Sequence, residues 1–307
     1  MAIRTSLSTD TASPALNTKA HASEHCALDR ESLDVLRSAV GRQVLVRRSP
    51  KRVALYTVAE QIDAAGRAAH VGTRGLARLE DPTGEPSATL RASLETAFTG
   101  GDSQTPVRLT EQLLGKGAAG LAVLAPHGGK IESGTDKQAT FVFKVLAGAG
   151  KPVRAWIARG FNPAGAHPCW HITASEISER SFPRLAVLFG PGAPRGPFAH
   201  AVAFHGQNDS EAIIVGGGLP RDEEHNALKA SLASHVHAAL QAVMTDPPDV
   251  VVQRSGPLAG VERANIVNRV TAAGNGIQLE QPLAVRTVKK RRDAIAQAVA
   301  AFYVDLV

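Results

Sequence analysis

Two cysteines in 307 residues, Cys26 and Cys169, are too few for a disulfide framework and stand in no C-x-x-C pattern, so nothing demands an oxidising compartment. Aromatic residues make up only 4% of the chain. The densest basic runs, RRSPKR (residues 47–52) and KKRR (residues 289–292), therefore have no interleaved rings on which bases would stack, and no nucleic-acid partner is expected. No apolar run is long enough to span a bilayer. The first 25 residues are polar and rich in Ser and Thr, without the apolar core of a signal peptide, so the expectation is a cytoplasmic or otherwise leaderless soluble protein with no membrane partner. The G-x-S-x-G elbow and the G-x-x-x-x-G-K-[ST] loop are missing, which argues against a serine hydrolase of that type and a P-loop enzyme. GKGAAG (residues 115–120) has the letters of a dinucleotide fingerprint, but it precedes a strand pattern where the fingerprint must follow one.

What is present is an Ala- and Gly-rich chain with a net charge of +6, a balance that favours anionic partners in general. Residues 1–27 have little apolar content and no periodicity and read as a flexible tail. Residues 28–105 hold short β-type runs, QVLVRR, RVALYTV, AAHVGTRGLARL and ATLRASL, split by Gly and Pro signals, and read as a small β-rich N-terminal unit. Residues 99–106, TGGDSQTP, are the linker candidate. From residue 106 to residue 307 strand and helix patterns alternate: helices near residues 107–114, 183–188, 222–243, 261–271 and 288–304, and strands at residues 121–125, 153–158, 199–204, 212–215 and 276–279. Alternation of this kind predicts an α/β domain with a mixed, largely parallel sheet flanked by helices, whose function gathers at the carboxyl ends of its strands.

The most informative stretch is LAVLAPHGGKIESGT, residues 121–135. An apolar run ends in His127, and Glu132 follows five positions later. On a helix, five residues turn the second side chain about 140° from the first, so the pair converges only if the two intervening glycines fold the strand back on itself. A second strand pattern ends the same way, in His205 of AHAVAFHGQ, and GIQL ends in Glu280. A catalytic zinc site takes three protein ligands and leaves one position open. His127, Glu132 and His205 offer a His2Glu set, with Glu280 as the carboxylate that takes the proton of water; a lone His at a strand end is more often hydrogen-bonded scaffolding than a ligand, and it is the joint pattern that favours a metal. Cys169 and His171 form a C-x-H pair that fits either a pocket or a packed turn. The VGGGL turn, residues 215–219, offers backbone N–H groups to an anion, or is a plain tight turn.

APHGGKIESGT, CWHITAS, AVAFHGQ with IIVGGGL, and NIVNRVTAAGNGIQLEQPLAVR resemble, in this order, the motif blocks of the poly-γ-glutamate hydrolase family, first known from phages. The resemblance covers residues 121–286. It implies a zinc carboxypeptidase-like fold, Zn2+ held by His127, Glu132 and His205, Glu280 as the catalytic acid/base, and an anionic poly-amino acid as substrate. Arg269, Arg286 and His171 are the substrate-binding candidates, the two arginines as forks for substrate carboxylates. Two departures stand out. DKQA follows Thr135 in place of a Ser-Glu-type continuation, and Arg159 precedes Gly160 where an acidic residue is commoner, which bears on substrate preference. The N-terminal unit resembles, through RVALYTVAE, the extension of longer members. The competing readings are a zinc amidase or carboxypeptidase acting on ordinary peptides or cell-wall fragments, and a non-catalytic polyanion-binding protein on a hydrolase scaffold.

Overall fold

In AIRTSLST, Ala2–Thr9, buried and exposed positions alternate over the first six residues, the period of a half-buried strand, and this segment is strand β1. The expectation of a flexible tail over residues 1–27 is thereby corrected. Its polar letters are the outward face of a strand whose inward face, Ile3, Thr5 and Leu7, is buried. The computed structural model describes residues 2–64, 66–79, 90–96, 105–117, 120–190, 192–219 and 222–307. Most of the linker candidate at residues 99–106 and two positions of GKGAAG lie outside the described residues. Two compact units result, one of Met1–Thr110 with Gly160–Pro183 and one of Glu111–Arg159 with Arg184–Val307.

The first unit is a closed barrel. After β1 come α1 (Pro14–Asn17), β2 (His25–Asp29), α2 (Arg30–Leu36), β3 (Gln43–Arg47), β4 (Val53–Ile62), β5 (Ala68–Val71), α3 (Thr73–Ala77) and β6 (Leu90–Thr96). The ring order is β1-β5-β2-β4-β3-β6, closed by antiparallel pairing of β1 with β6. Closure leaves no sheet edge to protect. Leu7, Leu28, Val44, Val46, Tyr56 and Leu94 fill the interior.

The second unit is an α/β structure, and beyond β6 the chain runs in order through β7 (Arg108–Leu114), β8 (Leu121–Gly129), α4 (Thr135–Gly148), β9 (Val153–Phe161), α5 (His167–Trp170), α6 (Pro183–Ala186), β10 (His200–Gln207), β11 (Ile213–Gly216), α7 (Glu223–Gln241), β12 (Val250–Val252), α8 (Ile266–Arg269), β13 (Ile277–Pro282), α9 (Leu283–Arg286) and α10 (Lys289–Val304). The unit boundaries fall within β7 and β9, and α5 goes with the barrel. The sheet order is β12-β11-β13-β10-β8-β9-β7. β8, β10 and β13 run parallel to one another and β11 antiparallel to β13, so the sheet is mixed. One face is covered by α4, α7 and α10 over a core of Val123, Ala125, Val202, Phe204, Val236, Ile295 and Val299. The helix expected over residues 107–114 is instead the edge strand β7. Seven half-buried residues fit either period, and pairing at the sheet edge decides between them.

From β8 the chain passes through α4 to β9 on one side, and the next strand, β10, lies on the other side of β8. The order therefore reverses between β8 and β10. In open α/β sheets the crevice outside the carboxyl ends of the strands at such a reversal is where ligands bind.

Candidate metal centre

The ladder between β8 and β10 ends at the pair Ala203 and Leu124, so the last residues of both strands part at the reversal point. His127 and His205 sit in those two strand ends. Beyond His127 the chain turns back: Glu132 N–H donates to the His127 carbonyl at 2.8 Å, and the Thr135 hydroxyl donates to the Glu132 carbonyl at 2.9 Å. Gly128 is required here, because a Cβ at this position would lie 2.7 Å from the Ala158 carbonyl oxygen and 2.6 Å from Asp136 Cβ.

The turn brings Glu132 between the two imidazoles. Its Oε1 lies 3.0 Å from His127 Nδ1 and its Oε2 lies 3.7 Å from His205 Nδ1, and Oε2 also accepts from Gly206 N–H at 2.9 Å. The rings are 5.1 Å apart between centroids. One ligand atom from each of the three residues falls within 4.8 Å of the others, and all three side chains are buried. Tetrahedral zinc ligands at about 2.0–2.1 Å from the ion stand about 3.3 Å from one another, so the 3.0 Å and 3.7 Å separations bracket what one ion requires. Two imidazoles and a carboxylate are also the donor set that suits zinc. Among the described residues this is the group of His, Cys, Asp and Glu side chains with metal-ligand spacing.

Glu280, on β13, pairs in register with His205 and is buried. Burial, and then the charge of Glu132, push its proton affinity well above the ordinary carboxylate range, against the pull of the Arg286 guanidinium. A cation held by the three ligands adds to that pull and favours the ionised form. Arg286 is itself buried beneath this layer. Its Nη1 donates to the Ser133 carbonyl at 3.0 Å and its Nε to the Gln281 carbonyl at 3.3 Å, tying the Glu132 turn to β13. A Cβ at Gly206 would fall 2.4 Å from Arg286 Nε, and one at Gly134 (φ 105°) 2.1 Å from the Arg286 carbonyl oxygen, so two glycines make room for this one residue.

The remaining candidates have other contacts. Arg269 sets its guanidinium carbon 5.4 Å above the Phe189 ring. His171 belongs to the barrel unit, where its Nδ1 bonds Glu24 Oε1 at 2.6 Å and its ring stacks on His167; Cys169 Sγ accepts from Asn162 Nδ2. Arg159 donates to Asp136 Oδ2 at 2.9 Å and to Gln112 Oε1 at 2.7 Å, so its fork is engaged within the second unit. The VGGGL turn spends two of its N–H groups internally, Gly217 on the Ala259 carbonyl and Gly218 on Asn268 Oδ1. It is a packed turn.

Residues 110–302 match the sequence profile of a family described as poly-gamma-glutamate hydrolase. Among solved structures, a bacteriophage poly-gamma-glutamate hydrolase is similar at 22% identity over 66% of this chain and 92% of its own, with a TM-score of 0.46. YNDL-apo, a zinc-free form, is similar at 23% identity over 65% of this chain and 91% of its own, with a TM-score of 0.45. A metallo-carboxypeptidase from Burkholderia cenocepacia is similar at 13% identity over 86% and 80% of the two chains, with a TM-score of 0.38. No curated protein matches.

Proposed function

Because the chain belongs to the poly-γ-glutamate hydrolase family, we propose that it is a zinc-dependent hydrolase that cleaves γ-glutamyl amide bonds of an anionic polyglutamate. The observation that carries the zinc assignment is Glu132 set between His127 and His205, its two oxygens 3.0 Å and 3.7 Å from their Nδ1 atoms. The net charge of +6 suits a polyanionic substrate.

When bound, zinc supplies Lewis acidity and brings the ionisation of water toward neutral pH. His127, Glu132 and His205 would hold the ion, and Gly206 N–H fixes Glu132 by its Oε2. Glu280 takes the proton released as water attacks the amide carbon, and hands it to the departing amine nitrogen as the C–N bond breaks. One water is consumed per bond, the products are a carboxylic acid and an amine, and Glu280 returns to its starting state. Arg286 keeps Glu280 and Glu132 compatible at close quarters, as a buried cation facing two carboxylates.

Incubating the purified protein with γ-linked and α-linked polyglutamate, before and after chelation and with zinc added back, tests metal and linkage together. Cleavage of the γ-linked polymer that chelation abolishes and zinc restores is the expected result. Undiminished cleavage after complete metal removal would overturn the zinc assignment, and equal cleavage of both polymers the linkage.

A further inference from the structure

Gln278 lies two residues before Glu280 on β13, on the same face of the strand. Its side-chain amide is fully committed. Nε2 donates to Glu280 Oε1 at 3.0 Å and to the Leu258 carbonyl at 3.0 Å, while Oε1 accepts from Asn265 Nδ2 at 2.9 Å. This arrangement fixes which end of the amide faces Glu280, because turning it over would set Gln278 Oε1 against two acceptors and Nε2 against a donor.

The surroundings are built around that amide. Leu258 adopts φ 68°, a left-handed conformation costly for a bulky side chain, and the carbonyl it presents there is one of the two acceptors. At Gly260, also left-handed at φ 61°, a Cβ would lie 2.3 Å from Gln278 Cδ, so only glycine leaves room. Asn265 is held as well: it is the N-cap of α8, its Oδ1 accepting from Val267 N–H at 3.1 Å, and this leaves Nδ2 to point at Gln278. Asn265 and Gln278 are both buried.

We propose that Gln278, oriented by Asn265, is the positioning residue of the reaction: it anchors Oε1 of Glu280 and so leaves Oε2 as the oxygen that handles the proton. The inference rests on the role assigned to Glu280 above and adds the device that aims it. A carboxylate on a strand has rotamer freedom, and proton transfer requires reach within hydrogen-bond distance of both water and amine. The relay from α8 to Asn265 to Gln278 to Glu280 removes that freedom.

Two substitutions test it in the full-length, zinc-loaded protein. Gln278→Met removes the anchor, and Asn265→Asp keeps a good N-cap but replaces the Nδ2 donor with an acceptor facing Gln278 Oε1, so that the amide loses the donor that orients it. Both are expected to lower kcat on γ-linked polyglutamate by about 10- to 100-fold with KM and zinc content unchanged. Adding Asn265→Asp to Gln278→Met should cost no further rate. In 15N NMR the Gln278 side-chain amide should be protected from exchange in the parent and lose protection in Asn265→Asp. Should Gln278→Met fail to fold, Asn265→Asp alone decides. Parental kcat in a folded Gln278→Met protein, or in an Asn265→Asp protein whose Gln278 amide has lost its protection, overturns the proposal, and an unmoved, protected Gln278 amide in Asn265→Asp overturns the orienting role of Asn265. If Glu280→Gln keeps full activity, the role of Glu280 falls instead, and the amide exchange still reports whether the anchor exists.

Discussion

His205 on β10 and Glu280 on β13 are direct ladder partners in register, and partners in a parallel ladder project from the same face of the sheet. The proposed metal ligand and the proposed proton carrier are thus held side by side by two backbone ladders, since β13 is paired on its other side with β11. Only Glu132 comes from a turn, and that turn is pinned by hydrogen bonds at both ends.

The two neighbours should separate cleanly on substitution. Glu280→Gln keeps the shape and the three ligands but cannot take a proton, so kcat should fall by about 10²- to 10⁴-fold while zinc content stays stoichiometric. His205→Ala should lose both zinc and activity. Steady-state kinetics with elemental analysis of the purified variants reads both quantities, and an active Glu280→Gln enzyme is incompatible with the assigned role.

Arg286 faces Glu132 and Glu280 from a buried position, with its donors on Ser133 and Gln281. Removing it as Arg286→Met leaves two buried carboxylates without their cation, which should cost on the order of 3 kcal/mol, read as a lower denaturation midpoint with an unchanged m-value. Arg286→Lys should recover little, because one ammonium cannot span both carbonyls. The expected role as a substrate fork makes a different forecast: a raised KM with stability intact.

The strand-end histidines and the Gly-Gly turn were legible because apolar runs and their polar terminators are local in sequence, and three of the four motif blocks carry the carboxyl ends of β8, β10 and β13. What escaped is non-local. Ala2–Thr9 reads as polar and structureless until β5 and β6 flank it, and the segment Gly160–Pro183 carries helix α5 into the barrel unit although it follows a strand of the other. Helix α4 (Thr135–Gly148) contains Thr140, Val142 and Val145, β-branched residues that mask its period, yet Val142 and Leu146 fall on its buried face. Gln278 had a usable signal, since GIQLE places it on the Glu280 face. Its meaning depended on Asn265, whose position no local pattern gives.

Gly128 offers a test of the turn itself. Gly128→Ala forces a Cβ toward the Ala158 carbonyl and Asp136, atoms of elements that cannot easily yield. Overpacking of this kind costs about 1 to 3 kcal/mol. The strain falls between His127 and Glu132, so zinc affinity should drop more than overall stability does. Calorimetric zinc titration alongside thermal unfolding of the metal-free protein distinguishes the two, and unaltered zinc affinity would show that the turn does not set the ligand geometry.

The barrel unit carries its own pH dependence, independent of the metal. Burial disfavours the charged form of His25, but its hydrogen bonds, Nε2 to Glu176 Oε1 at 2.7 Å and Nδ1 to the Ala15 carbonyl at 2.8 Å, together with the Glu176 and Glu24 charges, outweigh it and raise the proton affinity above the ordinary value of 6.5. The imidazolium therefore stabilises the fold fully at pH below 6.5, and this contribution is lost as pH rises through the higher folded-state value. Glu24 has the opposite sign. Burial raises it, yet the His171 hydrogen bond and charge, the Arg78 charge and the Thr173 N–H bring it to about 2, so its contribution is present above 4.5 and disappears as pH falls toward 2. The thermal midpoint of the parent should thus exceed that of His25→Gln by its widest margin between about pH 5 and pH 6, and the margin should close on the alkaline side. Glu24→Gln should show a margin that closes only in acid. A His25→Gln margin that stays constant from pH 5 to pH 9 would mean that the ring is neutral in the folded barrel, with one of its two hydrogen bonds lost.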